Sequence, residues 1–233
     1  MDDLLTQRLA DLLERIRMAE LRYQRPVGSV ALIAVSKAQP ASAIAQLASL
    51  GQRCFGENYL QEAIAKITTL HNPSLEWHFI GAIQSNKTEA IAKFFSWVHS
   101  VDRVKVARRL NDQRGTQQPP LNLCIQVNVS QATSKGGVDL DAVAPLATAI
   151  ATLPRLKLRG LMALPAATAE FTAQRRDFAR LRQTFELLNE QGYGLDTLSM
   201  GMSSDLEAAI AEGATHVRIG SSLFGPRHYP IQN

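Results

Sequence analysis

Apolar residues near the start of the chain recur at the spacing of one helical face. The positions are Leu5, Leu9, Leu12 and Ile16, and charged residues stand between them. A stripe of this kind is typical of an amphipathic helix that packs one side against a larger body. We therefore predict one long helix that ends before Pro26, because proline cannot continue it.

From Ser29 onward, short apolar and β-branched runs alternate with longer runs of helical periodicity. The predicted strands are residues 30–36, 53–55, 76–80, 97–101, 121–129, 156–163, 195–199 and 216–219. The predicted helices between them are residues 41–50, 59–70, 86–94, a segment through Arg109, 139–152, 170–189 and 205–211. A short turn is expected after the last strand.

Regular alternation of strand and helix requires parallel strands joined by right-handed crossovers, and eight such units can close into a barrel without a free edge. We predict an α/β fold: a single (β/α)8 barrel of the TIM type over residues 1–233, with residues 1–25 as an extra helix packed outside the barrel. An open, doubly wound sheet is the alternative. It is disfavoured because neither GxGxxG nor GxxxxGKS/T follows any predicted strand.

Composition narrows the classes of partner. The 25 Lys and Arg residues give a net charge of +4 against 21 Asp and Glu, but they are spread along the predicted helices, so we expect no nucleic-acid surface. No apolar run approaches the roughly 18 residues of a membrane span, and the acidic start, Met1-Asp2-Asp3, does not resemble a signal peptide. Cys54 and Cys124 lie in apolar runs as expected for buried, reduced thiols, and together these features predict a cytoplasmic protein.

Residues that follow the strands are the candidates for chemistry, because a parallel barrel places its site at the carboxyl ends of its strands. Lys37 follows the first predicted strand directly. Partial burial at the end of an apolar strand favours the neutral, nucleophilic form of an amine, which can attack an aldehyde or a ketone. A surface lysine whose stem lies along the strand is the competing interpretation.

The turns after the last two predicted strands are rich in glycine and serine. Residues 199–205 read Ser-Met-Gly-Met-Ser-Ser-Asp, and residues 219–222 read Ile-Gly-Ser-Ser. Small residues, backbone N–H groups and hydroxyls are what a phosphate needs, and barrels often place phosphate after strands seven and eight. Ser203 or Ser204 could instead cap the next helix, a role that is compatible with phosphate binding.

Arg218 stands between apolar neighbours in the last predicted strand, where a charge must find a partner. If it faces the interior, it can donate to a pyridine nitrogen, which keeps that nitrogen unprotonated and makes the ring a poorer electron sink. A carboxylate, Glu57 or Asp205, is the alternative partner. The five histidines show no metal-ligand spacing and no HExxH, CxxC or GxSxG motif occurs, so no metal site is predicted.

Six motifs, in the same order along the chain, resemble the pyridoxal phosphate homeostasis protein family. They are AVSK at 34–37, FGEN at 55–58, WHFIG at 77–81 with QSNK at 84–87, RGLM at 159–162, SMGMS at 199–203 and VRIG at 217–220. The resemblance runs almost from end to end. It implies a barrel similar to the N-terminal domain of alanine racemase and of eukaryotic ornithine decarboxylase.

The resemblance also implies that the chain binds pyridoxal 5'-phosphate (PLP) through eight residues. These are Lys37 as the Schiff-base lysine, Arg218 at the pyridine nitrogen, Ser203, Ser204 and Gly220 at the phosphate, and Asn58, His78 and Met162 along the ring.

The family resemblance further implies PLP binding without demonstrated turnover, in the control of PLP supply and of amino-acid and keto-acid balance, with PLP-dependent apo-enzymes as candidate recipients. Racemases of this fold add a β-domain that supplies a tyrosine as second base. We expect residues 220–233, with Tyr229 as their one tyrosine, to be too few for such a domain, and we therefore expect a monomer. A weak single-domain racemase and a phosphosugar-type barrel enzyme without PLP stay open as alternatives.

Overall fold

Eight parallel strands close into a barrel in chain order, and the last strand pairs with the first. The structure is a computed structural model that describes residues 3–130 and 136–225. The strands are β1 Ala31–Val35, β2 Cys54–Glu57, β3 Glu76–Phe79, β4 Trp97–Val101, β5 Leu121–Val127, β6 Leu156–Ala163, β7 Thr197–Ser199 and β8 His216–Ile219. The predicted (β/α)8 barrel is thus confirmed, and the open sheet is excluded because β1 pairs with β8.

Helices lie around the barrel, one after each strand. They are α1 Asp3–Arg22, α2 Ala41–Ser49, α3 Leu60–Leu70, α4 Thr88–Phe94, α5 Val104–Gln113, α6 Val143–Ala151, α7 Phe171–Glu190, α8 Leu206–Ala211 and α9 Ser221–Phe224. The extra helix α1 precedes the first strand and packs against α2, α8 and α9, as the sequence predicts. Among the helices of the described ranges, none is both long enough and apolar enough to cross a membrane.

Several predicted boundaries differ from the structure for local reasons. The predicted helices 86–94 and 139–152 begin instead with 3-10 turns, Ser85–Lys87 and Leu140–Ala142. The predicted strand 195–199 begins only at Thr197, because the backbone N–H of Leu195 donates to the side chain of Asn189 at the end of α7. In place of the short turn predicted after β8, the chain forms the single helical turn α9.

The two faces of the barrel wall carry different side chains. Outward residues such as Phe55, Phe79 and Val217 belong to the large apolar core between the strands and the helices. The interior is polar and aromatic, and its fully or almost fully buried side chains include His78, His99, Ser199, Arg218 and Trp97. Interiors of such barrels are usually filled by valine, isoleucine and leucine, so this interior is built for polar contacts rather than for packing alone.

Gly160 lets β6 approach β7 closely. A Cβ atom at this position would lie 1.7 Å from the carbonyl oxygen of Thr197, which is a backbone atom and cannot rotate away. The same glycine follows the register shift between Leu123 and Cys124, where β5 skips one residue of β6. Residue 160 must therefore be glycine for steric reasons.

We predict that Gly160→Ala destabilises the barrel by more than about 3 kcal/mol, because the added methyl group must push two paired backbones apart. Urea unfolding followed by circular dichroism measures this change. The control is Gly115→Ala, whose new Cβ would meet only the flexible side chain of Gln118. Equal stability of the two variants would contradict the steric argument.

Candidate functional site

A cavity of about 500 Å³ opens where the carboxyl ends of the strands meet. Six of the eight residues predicted from the sequence line it, and they are Lys37, Asn58, Ser203, Ser204, Arg218 and Gly220. The remaining lining residues are Val35, Ile80, Leu164, Met202 and Ser221. The volume suits a small cofactor, since ligand pockets commonly measure about 300 to 1,000 Å³.

Lys37 stands on the wall of this cavity, two residues beyond Val35. Successive side chains of a strand point to opposite faces, so Val35 and Lys37 share the inward face of β1 while Ser36 between them points outward. Lys37 is half-buried and Ser36 is fully buried. Lys37 therefore lies at the wall of the cavity and not on the outer surface of the barrel.

A buried network fixes the backbone on both sides of Lys37. The ammonium group of Lys66 donates to the carbonyl oxygen of Ser36 (2.6 Å) and to the carboxylates of Glu57 (2.7 Å) and Glu62 (2.5 Å). The Ser36 hydroxyl donates to Glu57 (2.6 Å), and the backbone N–H of Ala38 donates to Glu62 (2.6 Å). Both chain neighbours of Lys37 are thus held by the same ion cluster on β2 and α3.

Burial of the Glu57 carboxylate destabilises its charged form, and pairing with Lys66 offsets this effect. Burial raises the pKa of Glu57, while the charge and hydrogen bond of Lys66 and the hydroxyl of Ser36 act in the opposite direction. One carboxylate oxygen of Glu57, Oε2, has no hydrogen-bond partner among the described residues. A buried carboxylate in this position depends on its single cation.

Arg218 enters the cavity from β8 with a buried guanidinium group. It donates to the hydroxyl of Ser199 (2.7 Å) and to the carbonyl oxygen of Ala163 (2.8 Å). Burial lowers the pKa of Arg218 to about 10, which leaves the group protonated at neutral pH. Neither carboxylate of the sequence-based alternative forms a hydrogen bond with Arg218. Glu57 pairs with Lys66, and Asp205 accepts from the backbone of Met202 while its charge still acts on Arg218 and raises the pKa of the guanidinium.

Both glycine- and serine-rich turns border the cavity, and the first of them has unused donors. In the residues that the structure describes, the N–H groups and hydroxyls of Ser203 and Ser204 donate to no protein acceptor. Neither serine caps α8, whose N-cap is Asp205 without a side-chain capping bond. Gly201 has a φ of +98°, a left-handed conformation that favours glycine.

Asn58 follows β2 and lines the cavity at a point where the backbone of Gly81, after β3, comes close to its own backbone. A Cβ at Gly81 would lie 2.2 Å from the carbonyl oxygen of Asn58, so the glycine of the WHFIG motif is required sterically. Within the described ranges, the Asn58 side-chain oxygen is buried and unpartnered. It is thus available to a donor from the cavity.

The structure does not bring His78 and Met162 to the cavity wall. Both are fully buried inside the barrel, one layer below the wall. The side-chain period of a strand is two, so Ile80 and Leu164 share their inward faces and occupy the wall positions above them. Sequence reasoning missed these two wall residues, although the same alternation could have identified them.

A chain of hydrogen bonds runs from Arg218 down the barrel interior. Ser199 accepts from Arg218 and contacts Nδ1 of His99 (2.8 Å), and Nε2 of His99 contacts Nδ1 of His78 (2.9 Å). Burial lowers the pKa of His78 and of His99 well below the ordinary histidine value. Both imidazoles are therefore neutral at neutral pH, and Arg218 is the cation of the chain.

Comparison with known proteins identifies a matching protein family and a close relative in sequence. The model of the alanine racemase N-terminal domain family matches residues 9–228. A curated relative from Pseudomonas aeruginosa, named pyridoxal phosphate homeostasis protein, is 55% identical over 225 residues and covers 97% of this chain and 96% of the relative.

Solved structures show the same relationship. PipY of Synechococcus elongatus, in its PLP-bound structure, is 41% identical with a TM-score of 0.78, covering 90% of this chain and 98% of that chain. An alanine racemase from Clostridium difficile is 15% identical with a TM-score of 0.77, covering 98% of this chain but 60% of that chain. At that identity the racemase shares the fold alone.

We predict that Lys66→Met lowers the free energy of unfolding by about 3 kcal/mol or more, because Glu57 is left buried without its cation. Urea unfolding measures the loss. The double variant Glu57→Gln/Lys66→Met should recover part of it, and Lys105→Met, which changes an exposed lysine of α5, is the control. The cluster would have no structural role if Lys66→Met matched the Lys105 control.

Proposed function

Because this chain belongs to the family of pyridoxal phosphate homeostasis proteins, we propose that it binds PLP in the cavity at the carboxyl ends of the strands and acts in PLP homeostasis. One observation supports this most strongly. One cavity is lined by a lysine that follows β1, a buried arginine on β8 and two donor-rich turns that follow β7 and β8. An aldehyde, a pyridine nitrogen and a phosphate are the groups that these three features suit.

The residues fit the cofactor part by part. The amine of Lys37 would attach the aldehyde, and Arg218 would donate to the ring nitrogen. Ser203, Ser204 and the N–H groups near Gly220 would hold the phosphate, since phosphate oxygens accept several charge-assisted hydrogen bonds. Gly220 lies at the cavity wall beside Ser221, where its backbone is within reach of a bound ligand.

Asn58 would contact the ring from the β2 side of the cavity. His78 and Met162 would act from the layer below, His78 through His99 and Ser199, which hold Arg218. When bound, PLP supplies an aldehyde that links to amines and a ring that can accept electrons. A guanidinium at the ring nitrogen keeps that nitrogen unprotonated and weakens the ring as an electron sink.

We propose that the protein carries or regulates PLP rather than turning over a substrate. The curated relative from Pseudomonas aeruginosa is named as a homeostasis protein. Among the described residues that line the cavity, Lys37 is the one base, and no histidine, tyrosine or carboxylate shares the wall with it. A racemase needs a base on each face of its substrate, and this wall offers a base on one face. Tyr229 lies outside the described residues.

The proposal also covers the localisation, the oligomeric state and the partners of the protein. We place it in the cytoplasm as a monomer whose PLP is passed to PLP-dependent apo-enzymes. The cavity is open to solvent at the barrel mouth, which supports exchange of the ligand with a partner.

We expect the purified protein to be yellow with PLP, and borohydride reduction to fix the cofactor to the peptide that contains Lys37. Lys37→Ala should lose both the absorbance and the fixed label, because no other amine lines the described cavity. Lys105→Ala, at an exposed position of α5, is the matched control and should retain them.

Pyridoxal, which lacks the phosphate, serves as the ligand control for the same experiment. It should load at least about tenfold more weakly, since the turn donors lose their acceptor and one charge-assisted bond is worth about 1.5 kcal/mol or more. An unchanged PLP load in Lys37→Ala would refute the assignment of Lys37. A colourless wild-type protein that takes up no PLP would shift the function to the phosphosugar-type alternative.

Solvent-deuterium exchange at the α-carbon of amino acids distinguishes a PLP carrier from a weak racemase. We expect no solvent-deuterium incorporation at the α-carbon when the PLP-loaded protein is incubated with a broad panel of amino acids. Mass spectrometry of the recovered amino acids makes the measurement, with Lys37→Ala as the background control. Incorporation above that background would establish a single-base PLP enzyme and reject the carrier function.

A further inference from the structure

A second cluster of reactive side chains begins at the amino end of the barrel and extends inward to His78, one layer below the wall of the PLP cavity. Cys54 and Glu76 are the first residues of β2 and β3 and pair with each other in register. His78 lies two residues further along β3, on the same face as Glu76. We propose that Cys54, Glu76 and His78 form a binding site for a zinc ion, distinct from the PLP cavity.

The three ligand types suit zinc, which is bound in proteins by thiolate, imidazole and carboxylate. One atom from each residue lies within 4.8 Å of the other two. Cys54 Sγ is 3.6 Å from Glu76 Oε2, and that oxygen is 3.9 Å from His78 Nε2. Tetrahedral zinc with bonds of about 2.0 to 2.3 Å places its ligand atoms about 3.3 to 3.6 Å apart. The separation of Cys54 Sγ and Glu76 Oε2 already fits, and that of Glu76 Oε2 and His78 Nε2 must shorten by about 0.5 Å.

The other polar atoms of these side chains are already used to orient them. Trp97 Nε1 donates to Glu76 Oε1 (2.5 Å), which leaves Oε2 directed at Cys54 and His78. Nδ1 of His78 is bonded to Nε2 of His99 (2.9 Å), which leaves Nε2 of His78. Zinc ligands are usually held in this way by partners that bond their second atom.

His78 Nε2 supplies an independent observation. The side chain is completely buried, and in the described part of the chain this atom has no hydrogen-bond partner. An unpaired buried polar atom destabilises the folded protein, and this one lies beside a thiol and a carboxylate. A metal ion accepts the lone pair and removes that cost.

The hydrogen-bond chain above His78 permits the required tautomer. Arg218 can only donate, so Ser199 accepts from it, and the second lone pair of Ser199 can accept from His99 Nδ1–H. His99 Nε2 then accepts from His78 Nδ1–H, and the lone pair of His78 lies on Nε2. In the opposite arrangement Nε2 carries a hydrogen that has no acceptor within bonding distance.

The cluster is accessible from the amino end of the barrel, because Cys54 is partly exposed and the Glu76 side chain is 41% exposed. Three protein ligands leave one position of a tetrahedral ion for water, as in zinc sites with an open position. Burial and the neighbouring carboxylate raise the pKa of the Cys54 thiol to about 12. Binding therefore exchanges the S–H bond for an S–Zn bond and releases the proton to solvent.

Cobalt(II) is the probe, since it occupies zinc sites and reports a bound thiolate by its absorption. We expect the chelator-treated wild-type protein to develop a thiolate-to-cobalt charge-transfer band and the visible bands of a four-coordinate ion, and added Zn²⁺ to displace both. Lys37→Ala should give the same titration, because Lys37 lines the PLP cavity and Cys54, Glu76 and His78 do not.

Cys54→Ser should lose the charge-transfer band, whereas the matched control Cys124→Ser, a buried cysteine outside the cluster, should retain it. Glu76→Gln should weaken cobalt binding by about tenfold or more while keeping an oxygen acceptor for Trp97. Circular dichroism and thermal unfolding test whether each variant is folded. If Cys54→Ser does not fold, the cobalt affinity of Glu76→Gln tests the proposal. The proposal is overturned by a wild-type protein without the band, by a band that survives in Cys54→Ser, or by unchanged affinity in Glu76→Gln.

Discussion

Pairing of β1 with β8 is the constraint on which the site depends. It sets Ile33 opposite Arg218 and Ala34 opposite Ile219, so that Lys37 and Gly220, far apart in sequence, line the same cavity. An open sheet with the same strands would leave these residues on opposite edges. Closure also removes the free edges of the sheet and encloses an interior that can hold polar groups away from water.

The enclosed interior explains why the arginine can be kept there. A buried guanidinium must find acceptors, and it finds a hydroxyl and a carbonyl oxygen rather than a carboxylate. A carboxylate would neutralise the charge and compete with any ligand atom. Neutral acceptors hold the side chain in place and leave its charge directed at the cavity.

Sequence reasoning predicted the barrel and most of the cavity because both follow from rules of order along the chain. Strand alternation gave the topology, and the carboxyl-end rule identified Lys37, Arg218 and the two turns. His78 and Met162 were expected at the ring from the family resemblance alone. The alternation of β3 and β6 instead places Ile80 and Leu164 at the wall, with His78 and Met162 one layer below. The clusters of Lys66 and of Cys54 also escaped prediction, because each joins neighbouring elements whose register the sequence does not reveal.

Exposure of the two serine turns bears on how readily a ligand can leave. Ser204 and Ser221 are exposed and Ser203 is half-buried, so water can take the place of a phosphate at each donor. When the phosphate leaves, no buried polar group on this side of the cavity loses its hydrogen-bond partner, because water hydrates the exposed donors again. A binding site assembled from hydrated donors favours reversible occupancy, which suits a protein that must yield its ligand as well as hold it.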